Sequence, residues 1–277
     1  MTATASLFAL NHMCAPNRTV SSLFDLAVSL GMTGVEIRND LEGNAILDGT
    51  PPTEIRRAAE TRGLRVLSIN ALQRFNDWND VRGAEARALI AYARDCGAEA
   101  LVLVPVNDGT GRSDGERQAN LRIALKALRP LLEEAGIVGL VEPLGFETCS
   151  LRFKSEAVEA IASLNADGIF QLVHDTFHHC LAGEKELFVR ETGLVHISGV
   201  ADNALSLRDM RDADRVLVDG GDRLGNVEQL AALLSSGFRG SFSFEPFAES
   251  VHKTDDLRGA LEASIAHIQD NAFRALA

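Results

Sequence analysis

Eight short apolar runs, each followed by a longer amphipathic stretch, recur along the chain and leave few folds open to it. The runs are Leu7–Asn11, Gly34–Arg38, Arg65–Asn70, Ala100–Val106, Gly139–Glu142, Phe170–Asp175, Leu194–Ser198 and Ser241–Glu245. Spread over 277 residues, they come to about 35 residues per unit, enough for a strand, a helix and two short loops. Most are near-continuous Val, Ile and Leu, the pattern of parallel strands covered on both faces. No Pro/Gly-rich linker divides the chain. The pattern therefore predicts an α/β fold, a single (β/α)8 barrel over residues 1–277, in preference to a doubly wound open sheet.

Helical spacing fills the intervals. Thr19 or Ser21 caps a first helix that carries Leu23, Leu26, Ala27 and Leu30 on one face. Further helices are predicted over Thr53–Thr61, Val81–Cys96 (closed by Gly97), Gly115–Ala135 and Asn226–Ser236, the last capped by its own Asn. Another opens at Ser155 and Glu156, and Thr254–Ala277 closes the chain. Two connections differ. Glu184–Thr192 is short, charged and a weak helix, and Ala201–Leu224 is a long Asp/Arg-rich segment of the kind that usually carries function.

Composition narrows the partners. A net charge of −12, from 27 Lys+Arg against 39 Asp+Glu, excludes a nucleic-acid partner, because phosphate neutralisation needs basic residues. No apolar run is long enough to cross a membrane, so no membrane partner is expected. The N-terminus lacks a basic region followed by an apolar one, so no signal peptide is expected. Cys14, Cys96, Cys149 and Cys180 are scattered without framework or Cys-x-x-Cys spacing; Cys96 reads as packing, and the expected compartment is the reducing cytoplasm. No Gly-x-Gly-x-x-Gly follows the first strand, which argues against a dinucleotide site.

Polar residues interrupt the apolar runs at successive strand ends. The fifth run ends in Val141-Glu142-Pro143 and the sixth in His174-Asp175; the seventh holds Val195-His196-Ile197 and the eighth ends in Phe244-Glu245-Pro246. In a (β/α)8 barrel these ends share one rim. An unpaired charge there costs several kcal/mol. One strand-end glutamate is as well explained by an ordinary ion pair, but four such positions in succession need a common compensator. Three carboxylates and an imidazole suit one divalent cation, Mn²⁺ or Mg²⁺ by the oxygens, Zn²⁺ or Co²⁺ by the nitrogen. Counting these ligands alone, the loaded site carries about one negative charge, which favours a neutral polyol over a phosphorylated substrate.

Three of the seven histidines cluster at His174, His178 and His179. His174 would face away from Asp175 on a strand and reads as packing; His178 is close enough to touch a substrate; His179 is ambiguous. His12 is expected at the same rim, His252 and His267 at the surface. Glu36 and Arg38 lie on the second strand, with at least one pointing inward. Asn70 ends the third strand, ahead of a Phe75–Trp78 loop expected to wall the pocket, and Arg215 is placed to reach substrate from the long loop. A purely structural role explains each of these as well.

Taken together, Glu142, Asp175, His196 and Glu245 resemble the metal tetrad of the sugar phosphate isomerase/epimerase superfamily of xylose isomerase-like TIM barrels. Within it the chain is most similar to the 2-keto-myo-inositol (inosose) isomerases. Shared motifs are Val35-Glu-Ile-Arg38, Ile69-Asn-Ala-Leu72 with Phe75-Asn76, Glu142 with Gly145 and Thr148-Cys149, Asp175-Thr-Phe-His178, Asp214-Arg-Val216 and Phe244-Glu-Pro-Phe247. The resemblance implies that Glu142, Asp175, His196 and Glu245 bind one divalent metal (Mn, Zn, Co or Mg). It implies that Glu142 or Glu245 moves the proton, and that His178 and Arg215 hold substrate; Arg38, Asn70 and His12 are expected as further contacts from their strand-end positions. Gly199 stands where many relatives have an acidic residue, Val218-Asp-Gly-Gly-Asp222 replaces a Pro-Gly-x-Gly turn, and Asn11-His12 stands where inosose isomerases have an acid. These departures surround the substrate mouth.

The expected reaction is isomerisation of a keto-polyol through a cis-enediolate, 2-keto-myo-inositol first. Ketose 3-epimerase, hydroxypyruvate isomerase and inosose dehydratase are the alternatives on the same scaffold. A nuclease like the apurinic endonucleases would need more strand-end histidines and a basic face. A non-catalytic sugar-binding barrel would hold no metal. The expected partner is a small sugar or keto-inositol, in a homodimer or homotetramer.

Overall fold

The computed structural model describes residues 7–43, 46, 48–113 and 115–273. Met1–Ser6, on which the signal-peptide reading rests, and the last four residues of the helix predicted to reach Ala277 lie outside the described residues. Eight parallel strands close into a barrel in chain order. They are β1 Phe8–Asn11, β2 Gly34–Arg38, β3 Arg65–Gln73, β4 Ala98–Val104, β5 Val138–Val141, β6 Phe170–Asp175, β7 Thr192–Ile197 and β8 Phe242–Phe244, with β8 paired back to β1. The helices are α1 Val20–Ser29, α2 Pro52–Glu60, α3 Asp80–Cys96, α4 Glu116–Ala135, α5 Lys154–Ser163, α6 Thr176–Ala182, α7 Asn226–Ser235, α8 Glu249–His252 and α9 Leu257–Ile268. This is the (β/α)8 TIM barrel that the strand spacing predicts.

Burial explains the two apolar layers. Ala9, Leu67, Ala100, Val102, Leu140, Val173 and Leu194 form one cluster of strand side chains, the packed filling of a barrel. The larger cluster joins the other strand faces to the helices, for example Leu23 and Phe24 of α1 and Leu121, Leu125 and Leu128 of α4. Helix ends follow local chemistry. The Thr19 hydroxyl caps α1 by accepting from the Ser22 N–H, and Gly97 closes α3 at φ 78°, a conformation that costs a side chain energy.

Three helix expectations are corrected. The helix after β6 is not Glu184–Thr192; it starts at once, at Thr176, because Asp175 caps it by accepting from the His178 N–H. Asn226 does not cap α7. Gly225 occupies that position, and Asp222 does the capping, with Oδ2 accepting from the Asn226 N–H at 2.9 Å and Oδ1 from those of Val200 and Leu224 at 3.3 and 3.2 Å. The segment from Thr254 is not one helix with its approach: α8 precedes it, Asp256 restarts the chain as α9 by accepting from Gly259, and a π turn over Gln269–Phe273 follows. Strand limits differ as well. β3 runs on to Gln73, while β4 begins at Ala98 and stops at Val104.

Asp222→Ala removes a cap and strands several N–H groups at once, so it should lower unfolding free energy by about 2 kcal/mol. A shift of the urea midpoint at constant slope measures it; an unchanged midpoint would show that water replaces the carboxylate without loss.

Candidate active site

The strand pairing builds the site. Asn11 of β1 lies beside Glu36, Glu36 beside Ser68, and Arg38 beside Asn70. On the other side Asp175 lies beside His196 and His196 beside Ser243. With side chains alternating along each strand, these residues form a continuous polar layer above the apolar filling. Glu142 and Glu245 follow directly on β5 and β8. Their N–H groups make the last ladder bonds, to Leu103 and Ile197, and Pro143 and Pro246, having no N–H to offer, end the strands there.

Glu142, Asp175, His196 and Glu245 come together, all buried, with one ligand atom of each within 4.8 Å of the others. His196 Nδ1 lies 2.9 Å from Glu142 Oε1, 3.2 Å from Glu245 Oε2 and 4.0 Å from Asp175 Oδ2. Metal–donor bonds of about 2.0–2.3 Å allow donors to stand up to roughly 4.6 Å apart. The set fits a divalent cation without rearranging the strands.

Glu36 completes the centre from behind. It is fully buried and accepts from Ser68 Oγ at 2.6 Å, Ser243 Oγ at 2.5 Å and Asn11 Nδ2 at 3.2 Å, with His196 Nε2 at 3.1 Å. A carboxylate on Nε2 turns Nδ1 toward the other three carboxylates and makes it the better donor. Arg38 Nη1 meets Glu245 Oε1 at 2.8 Å, and Arg215 Nη2 meets Asp175 Oδ2 at 2.6 Å and Glu245 Oε2 at 3.1 Å. Four buried carboxylates thus face two buried guanidiniums that are themselves shared with Asp40 and Asp212 at the cavity edge, so negative charge is in excess and a dication would reduce it.

The surroundings divide the acids. Burial pushes the Glu142 carboxyl up, only partly offset by His196. Burial also opposes ionisation of Glu245, but His196, Arg215 and Arg38 outweigh it and hold that carboxyl well below the usual range. Glu36 is likewise lowered, burial being overcome by His196 and Ser243. For His196, burial disfavours the charged ring, yet Glu245, Glu36 and Glu142 raise its pKa well above the ordinary value. The acids need a positive charge among them.

Above this centre lies a cavity of about 270 Å³ lined by Arg38, Asn70, Glu142, His178, Arg215 and Glu245 among others. The structure thus brings four of the five expected substrate contacts to one place. His12 does not reach it. Asn11 takes the inward position, and its side chain accepts from Met13, turning the chain so that His12 Nε2 meets the Arg18 carbonyl at 2.8 Å. The Phe75–Trp78 loop does not wall the cavity either. Phe75 is wholly buried in the core and Asn76 bonds to Ser150 and Val106, so the wall comes from Gln73, Arg74 and Phe247. Both Glu36 and Arg38 point inward.

Arg215 is only 1% exposed although it sits in the long loop after β7. Gly199 and Val216 pair backbone to backbone, and the Arg215 carbonyl accepts from Phe247 and Ala248. Its guanidinium stacks on Phe247 and Phe177 at 4.6 and 5.1 Å. The histidine-rich segment splits by direction. His178 faces the cavity, its ring against Phe146 and Phe177, whereas His174 bonds outside the barrel to Lys154 and Gln229, with the His179 ring tilted beside it. Gly145 is required here, since a Cβ on it would stand 2.2 Å from the His178 carbonyl oxygen. Ser68 and Ser243 escape sequence reasoning, although their pairing with Glu36 and His196 marks them.

The fold and this rim define a (β/α)8 barrel with a buried carboxylate–imidazole centre. The chain belongs to the xylose isomerase-like TIM barrel family, whose model matches residues 24–270. It is similar over the full length of both chains to a xylose isomerase domain containing protein from Salmonella typhimurium LT2, at 30% identity and TM-score 0.87. It also resembles the IolI protein with a bound zinc atom, at 20% identity and TM-score 0.85, over 95% of this chain and 98% of that one. A 3-keto-D-glucoside 4-epimerase from E. coli matches at 18% identity and TM-score 0.71, over 96% and 99%. No curated protein matches in sequence. Among the described residues no helix is long and apolar enough to cross a membrane.

Glu36→Gln keeps the size of the side chain but weakens the acceptor on His196, and should reduce affinity for Mn²⁺ or Zn²⁺ by about 10- to 100-fold. Titration calorimetry reads this directly; unchanged affinity would mean that His196 is held without Glu36. In the wild type, a cation at 100 times its Kd should add about 2.7 kcal/mol of stability, visible as a raised melting temperature that a chelator reverses.

Proposed function

We propose that the protein is a divalent-metal-dependent isomerase or epimerase of a neutral keto-polyol. The observation that carries this is the placement of two carboxylates, Glu142 after β5 and Glu245 after β8, in one small cavity over a buried donor set that fits a dication. A dication held by Glu142, Asp175, His196 and Glu245 supplies Lewis-acid stabilisation of negative charge developing on substrate oxygens. Mn²⁺, Zn²⁺, Co²⁺ and Mg²⁺ are all compatible with the donors, and the zinc atom in the IolI structure supports a metal-binding reading.

The chain's own groups do the rest. A carboxylate takes the proton from the carbon next to the carbonyl and returns it to the neighbouring carbon, through a cis-enediolate. Burial makes Glu142 the more basic of the two, while Arg38 and Arg215 keep Glu245 anionic. His178, Asn70 and the two guanidiniums line the cavity where the substrate hydroxyls would lie and can orient them. Among free compounds 2-keto-myo-inositol leads, on the resemblance of the local motifs to inosose isomerases. An epimerase is the second reading, favoured by carboxylates on two sides and by the L-ribulose and D-allulose 3-epimerases among the structural relatives.

Proton NMR in D₂O on metal-loaded protein, with a panel of inososes and ketoses, tests both readings. Deuterium should enter at the carbon next to the carbonyl, and product identity separates isomerase from epimerase. Glu142→Gln and Glu245→Gln should each lower turnover by about 100-fold or more. An isomerase loses exchange with one of them and an epimerase loses net conversion with both. Wild-type activity in both variants would remove the carboxylates from the reaction.

A further inference from the structure

Next to the catalytic cavity lies a second and larger one. It encloses about 830 Å³, and Asn107 and Asp212 line both, so the two meet along those residues. At about 270 Å³ the inner cavity falls just below the roughly 300–1,000 Å³ of sites for drug-sized ligands, and it suits a single ring. A free monosaccharide or inosose would leave the outer groove unused.

The groove has the chemistry of a carbohydrate subsite. Phe146 and Leu207 supply apolar surface. Phe146 is fixed edge-on to Phe177 and to His178, so its wall continues into the inner cavity. Leu207 is 47% exposed, and the other large exposed apolar side chains among the described residues, Val28, Val81 and Ile123, lie on helices α1, α3 and α4. Polar groups edge this surface. Thr148 Oγ1 donates to Asn107 Oδ1 at 2.8 Å, and Arg208 projects at the rim with its side chain 86% exposed and 3.8 Å from Glu147. Apolar faces for the C–H side of a ring, with amide and guanidinium donors for its hydroxyls, match a second sugar-like unit.

We infer that the substrate is a glycoside: a keto-sugar whose reacting ring enters the inner cavity while a glycosidically linked second unit lies in the outer groove. The inference rests on the proposed function and narrows its substrate class. Proton exchange in D₂O should be compared for a 3-keto-hexose and for the same 3-keto-hexose linked to glucose, in wild type and in Leu207→Asp. The linked sugar should show a kcat/KM about tenfold higher, the size of one good apolar contact, and Leu207→Asp should bring the ratio toward one. Equal values for the two sugars, or a ratio that Leu207→Asp leaves unmoved, would overturn the inference while exchange of the free sugar upholds the proposed function. No exchange of either sugar would also overturn the inference, and exchange of 2-keto-myo-inositol in the same assay would then show the proposed function standing. Conversion of an oligomer to monomers by Leu207→Asp, seen in light scattering, would show the groove to be an interface between copies and would also overturn it.

Discussion

Burying four carboxylates at one end of a barrel is the constraint from which the rest of this structure follows. Each charge taken out of water costs several kcal/mol unless it is paired and hydrogen-bonded. The chain compensates with Arg38 and Arg215 on the outer side, with His196 at the centre, and with Ser68, Ser243 and Asn11 behind Glu36. The arrangement still lacks positive charge. That deficit is chemical information: it makes the rim a place where a cation would be stabilised.

The same groups hold the fold and the chemistry together. Asp175 shows this most directly. One oxygen accepts from the His178 N–H and starts α6, while the other meets Arg215. Capping the helix therefore aims the second oxygen at the site and brings His178 round to the cavity. Arg215, in turn, ties the loop after β7 to the chain after β8 through its carbonyl and to the acids through its guanidinium. A loop residue acquires the fixity of a core residue by these bonds.

Much of this was legible in the sequence because barrels repeat. Eight apolar runs at even spacing specify the strands, and polar residues ending those runs specify the rim. Glu142, Asp175, His196 and Glu245 are visible as charges where apolar residues belong. What stayed hidden depends on direction. Nothing in the spacing tells that Asn11 faces inward and sends His12 toward Arg18, or that Phe75 turns into the core and leaves Phe247 to the cavity. The helix over Thr176–Ala182 is masked because Asp175 reads as a metal ligand and not as a cap, and the capping role of Asp222 is masked by Asn226. Ser68 and Ser243 looked like ordinary strand residues; only pairing with Glu36 gives them meaning.

The polar layer at the barrel mouth also bears on how such a chain can change over generations. Side chains alternate along a strand, so deleting or inserting one residue within β2 would exchange Glu36 and Arg38 for Val35 and Ile37 at the centre. Length changes inside the strands are thus barred as firmly as loss of a ligand. The connections at the rim carry fewer such restrictions, the anchored stretch around Arg215, the close approach at Gly145 and the cap at Asp222 being the ones described. Relatives of this chain can therefore diverge in substrate by lengthening loops while every strand keeps its length.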